Sequence, residues 1–233
     1  VNKFILLYVN MIVMSSLVII SGNNSPIRTK HLEYYDKRKL QEDDNYIIIQ
    51  YGKTVNYSGG FIKETYKSSI SYIKNGDEVI NNIDQAFTVV ADIKLEVHFK
   101  ESLTDIESLL DTDYGKNFEK LISVDFSHFD TSLVTFMKYM LYGCSSLQQL
   151  DLSNFDTSNV VNMAYMFYGC SSLQNLNLSN FNTARVESFD GMFKKCTSLK
   201  YLSLSNFNFD NASEYLKEMF LGLEKLEYID LYV

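Results

Sequence analysis

The chain has 233 residues, room for one large domain or for a small domain beside a repeat array. Its 21 Lys and Arg stand against 29 Asp and Glu, a formal net charge of -8, so its long-range field offers nucleic acid no general attraction. It has no Trp and a single Pro, Pro26, a bias from which no function follows.

Residues 1–22, VNKFILLYVNMIVMSSLVIISG, set one positive charge at Lys3 before an apolar run to Ile20 and end on Ser21 and Gly22. That is the layout of a secretory signal peptide, with a retained signal anchor as the competing reading. The run is short for a bilayer span and carries Asn10 inside it, which disfavours a permanent helix there. Membrane contact is expected only through this segment, if it is uncleaved. No Cys follows it, so lipid attachment of the bacterial lipoprotein kind is not expected. Because the chain begins with Val1 and stops at Val233 inside a strand-like motif, both ends read as incomplete. Residues 23–45 mix charges of both signs with few apolar side chains, and read as a mobile linker that cannot bury enough surface to offset chain entropy.

Residues 46–100 read as a small, mostly β cap. YIIIQY (46–51) is β-branched and aromatic, Gly59 and Gly60 suit a turn, and SSISYI (68–73) runs into an Asn75–Gly76 turn. Within 78–87, Val79, Ile80, Ile83 and Phe87 fall at helical spacing, whereas Ile93, Leu95, Val97 and Phe99 alternate on one face of a strand. Such a unit is suited to cover the open end of a repeat array.

Residues 101–233 form that array. CSSLQQLDLSNFDTSNVVNMAYMFYG, 144–169, returns as CSSLQNLNLSNFNTARVESFDGMFKK, 170–195, a period of 26 residues. Ile106 and Leu109 are expected to match Val134 and Met137, starting the array early. Copies open on Leu121, Leu147, Leu173, Leu199 and, after one inserted residue, Leu226. An apolar-polar-apolar triplet follows each, Leu150–Asp151–Leu152 in the second copy, and predicts a short strand in a parallel sheet. Phe129, Phe155, Phe181 and Phe207 form a core column behind turn-forming Asp, Asn and Thr. Val160, Met163, Met166, Phe167 and Cys170 then recur at spacings of three and four, which predicts one face of a short helix closed by Gly143, Gly169 and Gly222. The repeat core is thus expected in Leu147, Leu150, Leu152, Phe155, Met163, Met166, Phe167 and Cys170. The expected fold class is an α/β coil, a right-handed solenoid with its parallel sheet on one face and short helices on the other.

These copies resemble the 26-residue repeat of bacterial surface proteins, the BspA-like leucine-rich repeat, over residues 121–233 and from about 93 more weakly. The resemblance implies a secreted or surface-exposed protein with a role in adhesion or protein binding. Two departures stand out: the lipid-attachment Cys is missing, and Asn154, Asn180 and Asn206 fall one place before the usual Asn, so that family's Asn ladder does not transfer residue for residue.

Catalytic, metal-binding and cofactor-binding residues are not expected. Cys144, Cys170 and Cys196 lie 26 apart, without the short spacings or His partners of a metal site, and read as a buried column of free thiols, with disulfides as the alternative. His31, His98 and His128 stand beside no nucleophile motif. The candidate binding face is the outward side of the strands: Asp125, Gln149, Asp151, Asn175, Asn177, Tyr201 and Tyr228. The expected function is non-catalytic binding of a protein or glycan of a host or neighbouring cell by a secreted or cell-surface protein. The alternative is a structural or antigenic coat component with no discrete ligand.

Overall fold

The computed structural model describes residues 18–19, 45–57, 64–82, 87–110, 118–212, 216 and 218–231. Apart from Val18–Ile19, the expected signal segment lies outside the described residues, as do residues 23–44 of the expected linker and the Gly59–Gly60 turn. Ahead of the cap, β1 is Val18–Ile19. The cap contributes β2 (Tyr46–Tyr51), β3 (Val55–Tyr57), α1 (Glu64–Lys67), β4 (Ile70–Asn75), β5 (Glu78–Ile80), β6 (Phe87–Val89) and β7 (Lys94–Phe99). The repeats contribute β8 (Leu121–Asp125), β9 (Asn175–Asn177), β10 (Tyr201–Leu204) and β11 (Tyr228–Leu231).

The cap is built on alternation. In β2 the sequence YIIIQY turns Ile47, Ile49 and Tyr51 into the core, and β7 turns in Leu95, Val97 and Phe99. These two pair antiparallel at the centre of a five-stranded sheet of order β5-β4-β7-β2-β8. Ile93, expected on the same inward face, falls before β7 and is 38% exposed. The described ends of 78–87 are strands: Glu78–Ile80 hydrogen bonds with β4, and Phe87 opens β6, which pairs with β3, while Ile83 lies outside the described residues. Strand pairing at both ends overrides a weak helical pattern in a stretch so short.

The last strand of the cap sheet, β8, comes from the first repeat and pairs antiparallel with β2, Ile49 against Val124. The cap therefore holds the repeats by a shared sheet. Downstream, β9, β10 and β11 pair parallel in strict register, Leu176 with Leu202 with Ile229, and β1 adds beside β11. The copies stack elsewhere too, through parallel bridges from Asp105 to Phe136 to Asn162 to Ser188. That register places Ile106 and Leu109 beside Met137 and Met140, three residues on from the expected Val134 and Met137.

The expected α/β solenoid is corrected by these observations. The chain is mostly β and turn, and its largest sheet is antiparallel. Among the described residues the one α-helix is α1, in the cap. No continuous parallel sheet runs down the copies, since β8 is taken by the cap and residues 147–152 form no strand.

The hydrogen bonds explain why the expected helices are absent. In Met163–Cys170, alternate N–H groups cross to the next copy: Met163 to Ser188 O (3.0 Å), Tyr165 to Asp190 O (2.8 Å), Phe167 to Met192 O (3.0 Å) and Gly169 to Lys194 O (2.9 Å). Those between them close four-residue turns, Met166 to Met163 O, Tyr168 to Tyr165 O and Cys170 to Phe167 O. Consecutive turns bury every third or fourth side chain, so the sequence shows helical spacing where the backbone is not helical. Tyr165 and Gly169 also adopt φ of 56° and 72°, which interrupts any right-handed run.

Side chains add a second obstacle. Asp151, Asp156 and Asn162 each accept, through Oδ1, the N–H two residues on, at 2.9, 3.0 and 2.9 Å. Such Asx turns compete directly with helical hydrogen bonding.

Candidate functional site

The outward side of the strands follows from their inward side. Leu176, Leu202 and Ile229 are buried, so their neighbours face out as two columns. One column runs Asn175, Tyr201, Tyr228, and the other Asn177, Ser203, Asp230, each step being one paired strand. The repeat carries them back to Gln149 and Asp151, then to Ser123 and Asp125 in β8. Asp125, Gln149, Asp151, Asn175, Asn177 and Tyr201 are exposed, Tyr201 by 49%, while Tyr228 is half-buried. The Tyr201 and Tyr228 rings lie 6.1 Å apart, tilted by 39°. The structure thus brings Asn175, Asn177, Tyr201 and Tyr228 together on one paired surface and leaves Asp125 on a strand of the cap sheet.

The two columns differ in how free their polar groups are. Asp125, Asp151 and Asn177 each give Oδ1 to the N–H of Ser127, Ser153 and Ser179, at 2.8, 2.9 and 3.0 Å. One oxygen of each group is therefore engaged in turning the chain. Burial raises the Asp125 carboxyl pKa, but the Ser127 hydrogen bonds with the His128 and Lys94 charges outweigh it and hold it below the usual range. Gln149 and Asn175, in the other column, have exposed amides that no side-chain hydrogen bond engages among the described residues.

Beneath the face, Leu147, Leu152, Phe155, Met163, Met166, Phe167 and Cys170 are buried as expected, while Leu150 is only half-buried. Cys144, Cys170 and Cys196 form no disulfide among the described residues and are fully buried, and their Sγ atoms contact the carbonyls of Leu110, Leu141 and Phe167 at 3.3, 3.3 and 3.0 Å. Burial pushes the Cys196 thiol up to about 12 from 9.0; burial, then the Cys196 and Cys144 thiols, push Cys170 well above the ordinary range. Because the folded value is the raised one, this stabilisation is whole below the unfolded thiol range and is lost as pH rises from there towards about 12. Native protein is expected to resist a thiol reagent until denaturant is added, and Cys196→Ala to flatten the alkaline decline of the urea midpoint. Ready labelling of the native chain would show the column to be open.

Three ladders escaped the sequence reading. Asn154 Nδ2 donates to Phe126 O (2.7 Å), Asn180 Nδ2 to Leu152 O (3.0 Å) and Asn206 Nδ2 to Ser179 O, so an Asn ladder exists at the displaced position. Buried Thr131, Thr157 and Thr183 donate to Asp156 O, Asn182 O and Asn208 O, and accept from the same residues' N–H groups. Away from the strands, Tyr139 stacks on Tyr165 (5.2 Å) and Tyr142 on Tyr168 (4.5 Å), with Lys195 Nζ 5.2 Å from the Tyr168 centroid. Tyr165 donates to Asp190 Oδ2 at 2.9 Å, and burial followed by this bond pushes its hydroxyl up to about 12. The twice-written Y-M-x-Y-G was the available signal, since its Tyr positions stand outside the core spacing.

Gly191 occupies the place of Tyr139 and Tyr165 in the next copy, at φ 57°, and a Cβ there would come 2.6 Å from Tyr165 Cδ1. Gly191→Ala is expected to lower stability by about 1–3 kcal/mol through strain and displacement of that ring. Gly169→Ala, at φ 72° but with its nearest atom 3.6 Å away, carries the backbone strain alone. Equal losses in urea titration would show that the ring is not the obstacle.

Among the described residues no group of three or more His, Cys, Asp or Glu is placed to hold a metal ion, and no helix is long and apolar enough to cross a membrane. No curated protein and no solved structure matches the chain. The stretch that carries the ladders and, Asp230 apart, both outward columns, residues 106–229, matches a family described as Mycoplasma protein of unknown function, DUF285; it takes in more than half of the 233 residues, and the chain belongs to that family.

Proposed function

We propose that this chain is a secreted or cell-surface binding module, which holds a protein or glycan of a host or neighbouring cell through the outward side of its strands and performs no catalysis. The observation that carries the reading is the Tyr201–Tyr228 pair, set beside the exposed amide of Asn175, the register partner of Tyr201. Large, rigid aromatic side chains supply most of the energy at recognition surfaces, and Tyr does so with little loss of rotamer freedom. The signal-like layout of residues 1–22 and the BspA-like form of the repeat support display outside the cell.

An epitope tag read on intact cells, followed by partner capture with wild type, Tyr201→Ala and Asp151→Ala chains, tests this. Surface staining with capture that both substitutions weaken is the expected result. Staining only after permeabilisation overturns the location. Capture indifferent to both substitutions overturns the face and favours a coat component, in which Asp151 serves only its turn to Ser153.

A further inference from the structure

We propose that the outward column Gln149, Asn175, Tyr201, Tyr228 binds a neutral linear oligosaccharide laid along the stack, one sugar ring to each copy. This rests on the strand side being the binding face and names the class of ligand it takes.

Spacing is the first argument. Asn175, Tyr201 and Tyr228 are direct register partners on three parallel strands, and neighbouring strands lie about 4.8 Å apart. That step is close to the length of one pyranose ring in an extended chain. A glycan running along the column therefore meets a new side chain at each sugar, and mismatch does not accumulate over so few steps.

Chemistry is the second. Tyr201 is 49% exposed, and its 39° tilt to Tyr228 leaves the two rings as successive platforms instead of a closed face-to-face pair. The C–H face of a sugar ring packs against such a surface, whereas an extended peptide also needs pockets for alternate side chains. The Gln149 and Asn175 amides each present a donor and an acceptor in one plane, the pairing that neighbouring sugar hydroxyls require. Neither amide is hydrogen-bonded among the described residues.

Charge is the third. The column holds no ionisable side chain at neutral pH, although the chain carries a net charge of -8. Carboxylates stand one column over, at Asp230 on the paired strands and, by the repeat, at Asp151. A sulfated or uronic glycan would meet them as like charges, and a basic peptide would seat itself on them and bypass the amides. Only a neutral polyhydroxylated chain uses what this column offers.

The test passes the full chain over immobilised neutral oligosaccharides, tetrasaccharides or longer (β-1,4-glucan, chitin and mannan fragments), with a heparin fragment and a Lys-rich peptide in parallel. Retention on a neutral glycan is expected, weakened about tenfold by Tyr201→Ala and severalfold by Asn175→Ala. Leu133→Ser, an exposed position in the turn half of a copy, should leave retention unchanged. Unaltered urea midpoints for these exposed substitutions confirm that folding is not the cause. The proposal is overturned by retention on heparin or peptide alone, by no retention on any neutral glycan, or by neutral-glycan retention that Tyr201→Ala does not change. Peptide or protein binding that Tyr201→Ala abolishes would leave the strand-side reading standing while removing the glycan; binding that ignores both Tyr201 and Asp151 removes both.

Discussion

Phe181→Ala is expected to reduce the free energy of unfolding by about 3–5 kcal/mol, read as a fall in urea midpoint, the largest loss from one truncation in the repeats. Phe181 is fully buried and stands between Phe155 and Phe207, with ring centroids 6.4 Å away on each side and interplanar angles of 3° and 8°. Removing it deletes contacts with the copies before and after its own. The gap cannot close by drawing those copies together, because the Asn and Thr ladders hold their backbones at a set distance on both sides of the ring. An unrelaxed cavity adds to the lost transfer energy, which is why the upper part of the usual range applies. Phe181→Leu should restore most of the stability, and Phe136→Ala, at a site 40% exposed, should lose little. A loss at Phe181 no greater than at Phe136 would mean that the Phe column is not a packed core.

Thr157→Val keeps shape and volume and removes one oxygen, yet is expected to reduce stability by about 2–4 kcal/mol. Thr157 Oγ1 donates to Asn182 O at 3.0 Å and accepts from Asn182 N–H at 2.8 Å, and Thr157 is 1% exposed. The substitution leaves a backbone donor and a backbone acceptor without their partner where the hydroxyl was, and a methyl group fills the place a water would need. Thr183→Val should behave alike, since Thr183 makes the same pair of bonds to Asn208 at 3.1 and 2.7 Å. Thr157→Ser should retain most of the stability by keeping the oxygen. If Thr157→Val and Thr157→Ala prove equal to Thr157→Ser, the ladder is incidental to the stack.

The same two positions show how far the letters could be read. Phe181 was visible as a core column because burial recurs with the 26-residue period and needs no knowledge of backbone path. Thr157 was readable as a turn residue, but its forward bond to the next copy was not, since a hydroxyl of that type bonds as readily within its own turn. Asn180 was noted as displaced from the leucine-rich-repeat position, and the ladder it nevertheless forms depends on where the Leu152 carbonyl lies in three dimensions.

The candidate face was legible for a related reason. Alternation alone places Asn175, Tyr201 and Tyr228 outward, and pairing of β9, β10 and β11 sets them side by side. Alternation could not say that Asp151 and Asn177 would each surrender an oxygen to a turn, or that the Gln149 and Asn175 amides would stay unengaged among the described residues. The stacked Tyr139 and Tyr165 were passed over because a period-based reading rewards buried positions, and these rings lie outside them.

Period, inward columns and outward columns all follow from composition at fixed spacing, because side-chain burial is a local preference repeated by each copy. Helix against turn was decided elsewhere. Met163, Met166 and Cys170 satisfy a helical spacing, but the N–H groups of Met163, Tyr165, Phe167 and Gly169 find carbonyls in the next copy, and a backbone donor that bonds between copies cannot also close a helix. The fate of β8 was settled in the same way: its edge meets β2 of the cap, which pairs with it antiparallel and draws the first copy out of the parallel series. Hydrogen-bond partners so distant along the chain leave no local pattern, and only the assembled copies select them.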